Sequence, residues 1–158
     1  MKRLETSAIL LGHKISLCWD IFQKSLQIAI KDYLPCDTRI RFTVDLDEHP
    51  GDLYLSIEPL QSPSQRDYSE GVVTVTCPGQ RENPESKQTS FIETAERIRH
   101  KMPMGVHECL LLDGQGHILE GLSSNFFYVK DGIIRISIKG ILSGITLSRV
   151  IRAAAAAD

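Results

Sequence analysis

The stretch Glu120-Gly121-Leu122-Ser123-Ser124-Asn125 is the most informative part of this 158-residue chain. It places a carboxylate after the strand-like residues 116–119, then a glycine, and then short polar side chains ahead of the apolar residues 126–129. Lys87 lies thirty-three residues before Glu120, and Gly144-Ile145-Thr146 begins nineteen residues after Asn125. Each part alone is commonplace, because Gly, Ser and Asn satisfy local backbone groups in any turn. Their order and spacing together indicate a ligand site.

Composition and charge indicate a soluble globular protein. Apolar residues make up 42% of the chain and charged residues 24%, and the formal net charge is −2. Such a balance gives no basic field for nucleic acid or an anionic membrane, and the apolar runs are too short to span a bilayer. The N-terminus also lacks the pattern of a secretory signal. The four cysteines form no CxxC pair and the five histidines are dispersed, so we expect reduced thiols, a cytoplasmic location and no metal.

Apolar spacing divides the chain into two structural units. Three-and-four spacing predicts four helices, over residues 1–12, 16–34 and 90–100 and from about Thr146 onward. Alternation predicts one hairpin in the first half and five strands in the second, over residues 39–46 and 52–57, and then 72–77, 108–112, 118–119, 126–129 and 133–138. The polar segment 61–70 has no apolar period, so we interpret it as a linker between an N-terminal domain (1–60) and a C-terminal domain (71–158).

The motifs around Lys87, Glu120 and Gly144 resemble the cofactor site of the class IV (fold-type IV) pyridoxal-phosphate enzymes. That family includes branched-chain and D-amino-acid aminotransferases and 4-amino-4-deoxychorismate lyase. The resemblance implies an α+β, two-domain fold like that of D-amino-acid aminotransferase, in which a small α/β unit precedes a β-barrel-like domain that binds pyridoxal 5'-phosphate. It begins at Arg3 and ends near Arg152, whereas family members are commonly longer at both ends. We therefore expect a chain truncated at both ends, with both domains incomplete.

Lys87 and Glu120 are the residues to which the resemblance assigns the cofactor chemistry. Lys87 would be the catalytic residue, because it would form the Schiff base with the cofactor and carry the proton between cofactor and substrate. A lysine does this only when its amine is unprotonated. Glu120 would bond to the pyridine nitrogen, where a carboxylate strengthens the ring as an electron sink. Both residues are thus predicted to bind the cofactor.

Other residues are expected to hold the ring and the phosphate. Gly144, Ile145 and Thr146 open the last helix, where backbone amides and the helix dipole favour an anion. The resemblance further implies that Ser123, Ser124 and Asn125 line the cofactor and that Leu142 packs against the ring. It also implies that Arg3 reaches the phosphate, a role that suits a guanidinium because it can bond a phosphate in bidentate fashion.

Three functions are compatible with these residues. The leading prediction is transamination of a branched-chain or related L-amino acid with a 2-oxo acid. A D-amino-acid substrate is disfavoured, because the strand around Asp45 lacks the arginine expected for the substrate carboxylate. The second is 4-amino-4-deoxychorismate lyase, in which the same cofactor eliminates pyruvate, since Arg81, Asn83 and Pro84 resemble loops of that branch. The third is a non-catalytic remnant on the same scaffold. The resemblance also implies a homodimer.

Overall fold

The computed structural model describes residues 2–33 and 37–157, and the chain divides into two compact units after Glu70. The first unit joins helices to a β-hairpin. Its elements are α1 (Lys2–Leu10), α2 (Trp19–Ile30) with a following 3-10 turn (Lys31–Tyr33), β1 (Thr38–Val44), β2 (Leu53–Pro59) and α3 (Gln65–Glu70). Strands β1 and β2 pair antiparallel, which confirms the predicted hairpin. Helix α2 packs on this hairpin through Phe22, whose ring centroid lies 4.8 Å from that of Phe42.

Two predictions for the first unit differ from the structure. The helix predicted over residues 16–34 begins at Trp19, because Cys18 at its N-cap is still extended, and its α-helical part ends at Ile30; residues 34–36 lie outside the described part of the chain. The segment 61–70, predicted as a linker, contains helix α3. Ser64 and Asp67 cap that helix reciprocally, since the Asp67 N–H donates to Ser64 Oγ at 3.2 Å and the Ser64 N–H to Asp67 Oδ2 at 2.7 Å.

The second unit contains a three-stranded sheet, a separate hairpin and two helices. Its elements are β3 (Thr74–Pro78), α4 (Ser90–Arg99), β4 (Glu108–Leu112), β5 (Ile118–Gly121), β6 (Phe127–Lys130), β7 (Ile133–Ile136) and α5 (Ile145–Ala155). Strand β4 pairs parallel with β3 and antiparallel with β5, while β6 and β7 form the hairpin. Every element predicted for this half is confirmed, with bounds that differ by at most two residues.

The core of the second unit lies between the sheet and α4. Its buried members are Ala95, Cys109, Leu111, Leu119 and Leu122. Because β3 and β4 are parallel, the chain must cross over between them, and residues 79–107 with α4 make that crossover. The loop that carries Lys87 is therefore the first part of a crossover that packs on the same sheet from which the Glu120 turn emerges.

Candidate functional site

The turn from Glu120 to Asn125 is closed by its own backbone. These two residues pair as an isolated antiparallel bridge, and the Gly121 N–H donates to the Ser124 carbonyl at 2.8 Å. A Cβ at position 121 would collide with Ser124 Oγ and lie 3.0 Å from the carboxyl carbon of Glu108. The glycine after the acid is therefore required by the close approach of other groups.

Glu108, the first residue of β4, accepts hydrogen bonds from this turn. Its Oε1 accepts the backbone N–H groups of Cys109 at 3.0 Å and Leu122 at 3.2 Å. Its Oε2 accepts the N–H of Ser123 at 3.2 Å and the hydroxyls of Ser123 and Ser124, each at 3.0 Å. Burial raises the pKa of the Glu108 carboxyl, but the hydrogen bonds outweigh burial and leave that pKa below its ordinary value. Glu108 is thus a buried anion stabilised by neutral dipoles.

Glu120 is only 1% exposed, and its two carboxyl oxygens have different surroundings. Oε2 accepts the Leu142 N–H at 3.1 Å and the Asn125 side-chain amide at 3.3 Å. Oε1 lies 2.7 Å from Arg81 Nε, but neither of these buried atoms has a hydrogen-bond partner among the described residues. The contact is therefore a close ion pair of poor hydrogen-bond geometry, and Oε1 has no other partner among the described residues.

The proton affinity of Glu120 differs from that of Glu108. Burial raises the pKa of the Glu120 carboxyl, and this effect outweighs the charge of Arg81, the Leu142 N–H and the direct contact of the Arg81 side chain, which lower it. The pKa of Glu120 consequently lies above its ordinary value. A carboxyl in this state can share a proton with a basic nitrogen placed at Oε1.

Arg81 links the loop before Lys87 to the Glu120 turn. Its side chain is 11% exposed, and besides the ion pair with Glu120 it donates from Nη2 to the Leu122 carbonyl at 3.1 Å. The guanidinium carbon also lies 4.0 Å from the ring centroid of Phe91 on α4. The crossover loop, the helix and the turn therefore meet at this arginine.

Asn125 joins the turn to the segment before α5. Its side-chain amide donates to the Leu142 carbonyl at 2.8 Å as well as to Glu120. Its Oδ1 occupies the space that a Cβ at Gly144 would need. The structure thus brings Glu120, Asn125, Leu142 and Gly144 into direct contact, and Leu142 takes part through its backbone groups.

The first backbone N–H groups of α5 have no capping side chain. Gly144 at the N-cap has no side chain to bond the first amides, and the first turn contains no acidic residue. Ile145 and Thr146 are both exposed there. Because the first amides of a helix lack intrahelical acceptors, this end carries partial positive charge.

Lys87 is an exposed residue in the loop between β3 and α4. The backbone beside it is anchored, since the buried Ser86 donates from Oγ to the Asn83 carbonyl at 3.0 Å. Gln88 in turn donates from Nε2 to Ser86 Oγ at 2.6 Å. The convergence of Lys87 and Glu120 on one ligand stays a prediction, with the Arg81 contact as the link between their segments.

Arg3 belongs to the first unit, where it lies half-buried in the first turn of α1, and burial lowers the pKa of its guanidinium. Its contact with a phosphate stays a prediction. The first unit also has an open cavity of about 330 Å³ between α2 and the hairpin, which contains none of the predicted site residues. Among the described residues, no group of three or more His, Cys, Asp or Glu side chains could hold a metal ion. No described helix is both long and apolar enough to cross a membrane.

Two residues that organise the site were not selected from the sequence. Glu108 did have a signal, because it directly precedes the apolar run 109–112, and a buried strand start is an unusual place for an acid. Arg81 was noted only as part of a loop that resembles the lyase branch, and its contact with Glu120 had no signal, since an arginine in a polar loop is ordinarily solvated. Its role arises only from the crossover.

Comparison with known proteins gives the family. The profile described as amino-transferase class IV matches residues 1–158. A Methanocaldococcus jannaschii protein assigned as a branched-chain-amino-acid aminotransferase is 34% identical over 74 residues, which make up 46% of this chain and 26% of that protein. The alignment therefore covers about a quarter of this curated relative.

Solved structures share the fold. A hypothetical aminotransferase from Mycobacterium tuberculosis, in its α-ketoglutarate- and PMP-bound form, has a TM-score of 0.79 at 17% identity and covers 98% of this chain and 61% of its own. A structure assigned as 4-amino-4-deoxychorismate lyase has a TM-score of 0.76 at 24% identity, with 98% of this chain and 62% of that chain covered. The chain thus spans about three-fifths of these solved chains. Since the profile matches all 158 residues and the α+β fold is the one that the motifs predicted, this chain belongs to the class IV aminotransferase family.

Proposed function

We propose that this chain binds pyridoxal 5'-phosphate and serves transamination between a branched-chain-type L-amino acid and a 2-oxo acid, with Lys87 as the catalytic residue. The observation that carries the proposal is Glu120 Oε1, a buried acceptor whose close contact, Arg81 Nε at 2.7 Å, is not aligned as a hydrogen bond. This arrangement suits a site in which a ligand supplies the donor, and a protonated pyridine nitrogen is such a donor.

Glu120 would hold a proton at the ring nitrogen. Bound pyridoxal phosphate supplies an aldehyde to which amines attach and a ring that takes up the electron pair released at the substrate α-carbon. Asn125 and the Leu142 N–H already occupy Oε2, which leaves Oε1 for the nitrogen. The raised pKa of Glu120 supports this role, because a carboxyl of higher proton affinity shares a proton more evenly with a pyridine.

The phosphate would bind at the start of α5. Uncapped amides at Ile145 and Thr146 and the Thr146 hydroxyl offer donors to an anion, and no acidic residue in the first turn opposes it. Arg3 would add a guanidinium from the first unit, as the resemblance implies. These groups orient the ligand and leave the chemistry to the other end of the ring.

Lys87 would hold the cofactor through its aldehyde carbon, with loss of water. Once a substrate amine has displaced it, the freed Lys87 amine would move a proton at the substrate α-carbon. The hydrogen bonds of Ser86 and Gln88 fix the backbone from which its side chain extends. Arg81, six residues earlier in the same loop, contacts Glu120 and supports a common site for the two residues.

The substrate class is the finer part of the proposal. A branched-chain-type amino acid is supported by the Methanocaldococcus jannaschii relative at 34% identity. Pyruvate elimination from 4-amino-4-deoxychorismate is the second candidate, because Arg81, Asn83 and Pro84 resemble loops of the lyase branch and Arg81 contacts the proposed ring partner Glu120. We infer a homodimer from the family resemblance.

Covalent attachment at Lys87 is the first test. Purified protein is mixed with pyridoxal phosphate, reduced with borohydride and mapped by peptide mass spectrometry. We expect a single reduced adduct at Lys87 that is lost in Lys87→Ala and kept in the control Lys101→Ala, which removes another exposed lysine of the same unit. An adduct spread over several lysines, or one that persists in Lys87→Ala, contradicts the proposal.

Turnover then separates the candidate reactions. Amino transfer from leucine to 2-oxoglutarate supports the aminotransferase, and pyruvate release from 4-amino-4-deoxychorismate supports the lyase. An adduct at Lys87 with neither product identifies a non-catalytic chain. Glu120→Gln should keep the adduct but slow exchange of the substrate α-proton by roughly ten- to a hundredfold, which corresponds to a lost charge-assisted hydrogen bond of about 1.5–3 kcal/mol. Unchanged exchange would remove Glu120 from the ring nitrogen.

A further inference from the structure

The hydroxyls of Ser123 and Ser124 share one hydrogen-bond acceptor. Both donate to Glu108 Oε2, each at 3.0 Å. A serine hydroxyl has one proton and two lone pairs, so a proton given to Glu108 leaves only lone pairs for any other partner. Both serines are exposed residues, and we expect these lone pairs to face a ligand.

Glu108 keeps this polarity fixed. It receives five hydrogen bonds, three from backbone amides and two from the serines, and is only 8% exposed. No salt bridge to a basic residue forms at Glu108 within the described part of the chain. Both serines therefore contact a buried carboxylate that has no cationic partner there, and its negative charge favours the orientation in which the serine protons face it.

We propose that Glu108 is a positioning residue that makes Ser123 and Ser124 an acceptor edge, so that this edge receives a hydrogen-bond donor or a cation and not the phosphate of the ligand. A phosphate there would face oxygen lone pairs with a carboxylate behind them. The phosphate is left to the start of α5. The identity of the ligand rests on the proposed function, whereas the positioning of the turn does not.

The ligand half is tested with pyridoxamine phosphate and pyridoxamine, which carry an amine in place of the aldehyde and so bind without Lys87 chemistry. The dissociation constant of pyridoxamine divided by that of pyridoxamine phosphate, both measured by equilibrium dialysis, gives the contribution of the phosphate. We expect this ratio to stay within about twofold of the unsubstituted protein in Ser123→Ala and Ser124→Ala. In the control Thr146→Val it should fall by roughly tenfold or more, as for a hydrogen bond to a charged group.

Glu108→Gln gives a result that a purely structural role would not. An amide nitrogen at the Oε2 position donates to the serine oxygens and turns their protons outward, so the phosphate contribution should rise severalfold. A tenfold fall in either serine variant, or a ratio that is unchanged or lower in a folded Glu108→Gln protein, would overturn the proposal. If Glu108→Gln does not fold, the serine variants decide.

Amide hydrogen exchange tests the positioning half without any ligand. In Glu108→Gln the Ser123 N–H, whose acceptor Oε2 becomes an amide nitrogen, should exchange at least tenfold faster, while the Asp113 N–H, which donates to the His117 carbonyl at 3.0 Å, keeps its rate. Unchanged exchange at Ser123 overturns the role of Glu108. If neither compound binds the unsubstituted protein, the proposed function and the acceptor edge fail together, but accelerated exchange still establishes that Glu108 positions the turn.

Discussion

Replacement of Arg81 by methionine should destabilise the second unit strongly at pH 8 and weakly at pH 5. The guanidinium is 2.7 Å from the Glu120 carboxylate, and the two side chains are 11% and 2% exposed. Arg81→Met keeps much of the side-chain volume and removes the charge, which leaves the carboxylate buried without its cation. Removing one partner of a buried ion pair costs about 3–5 kcal/mol. Loss of the contact with Phe91 adds roughly 0.5–2 kcal/mol.

The pH dependence follows from the sign of the Glu120 shift. The pKa of Glu120 is raised in the folded protein, and Arg81 is among the groups that lower it, so Arg81→Met raises it further. A carboxyl with a raised folded pKa contributes its stability below the unfolded pKa of about 4.3, and that contribution is lost as the pH rises through the folded pKa. The electrostatic loss in the variant therefore shrinks as the pH falls from 8 toward 5 and approaches the pH-independent loss at Phe91.

Urea unfolding followed by far-UV circular dichroism at both pH values measures this difference. The matched control is Arg66→Met, because Arg66 Nε is also 2.7 Å from a carboxylate oxygen, that of Glu70, but these side chains are 80% and 60% exposed. That variant should lose no more than about 1 kcal/mol at either pH. The double variant Arg81→Met/Glu120→Gln should show little pH dependence. An equal loss at pH 5 and pH 8, or a loss no larger than that of Arg66→Met, would refute the reasoning.

Two further predictions concern packing and thiol reactivity. Gly144→Ala should lower the free energy of urea unfolding by about 1–3 kcal/mol, because a Cβ there displaces Asn125 from its hydrogen bonds. Gly114→Ala, with no atom within 4 Å of its Cβ position, should change little in the same assay. Burial and the neighbouring Cys77 thiol raise the pKa of Cys109 to about 12, so iodoacetamide at pH 8 should alkylate it at least about a hundredfold more slowly than the exposed Cys18, as followed by peptide mass spectrometry. Similar rates at the two thiols would contradict this.

Local patterns were sufficient for the elements of the second unit. The apolar run 109–112 predicts β4, and glycine turns separate the other strands, because a strand in the core needs apolar residues and a tight turn needs particular residues. The clustering of Glu120, Asn125 and Gly144 also has a local origin, since a short turn fixes the first two and a close approach requires the third.

Long-range features could not be read in this way. The parallel pairing of β3 with β4 depends on how the crossover docks, and neither strand carries a sequence signal for its partner. Arg81 acquires its role only after that docking, when its loop reaches Glu120. Helix α3 was not predicted because the segment that Ser64 and Asp67 cap has no apolar face, and the capping pair alone, three positions apart, is a weak signal.

Glu108 and Glu120 show why residue type alone does not identify the functional acid in this unit. Both are buried carboxyls, at 8% and 1% exposure, and both contact the same turn. Glu108 has five donors, a lowered pKa and no unsatisfied oxygen, so it is fully used in holding the backbone. Glu120 has a raised pKa and one oxygen without a donor, which leaves chemical capacity for a ligand. Environments that move two like groups in opposite directions assign different tasks to them. The functional role of each carboxyl therefore follows from its hydrogen bonds and burial, and would change if these surroundings were exchanged.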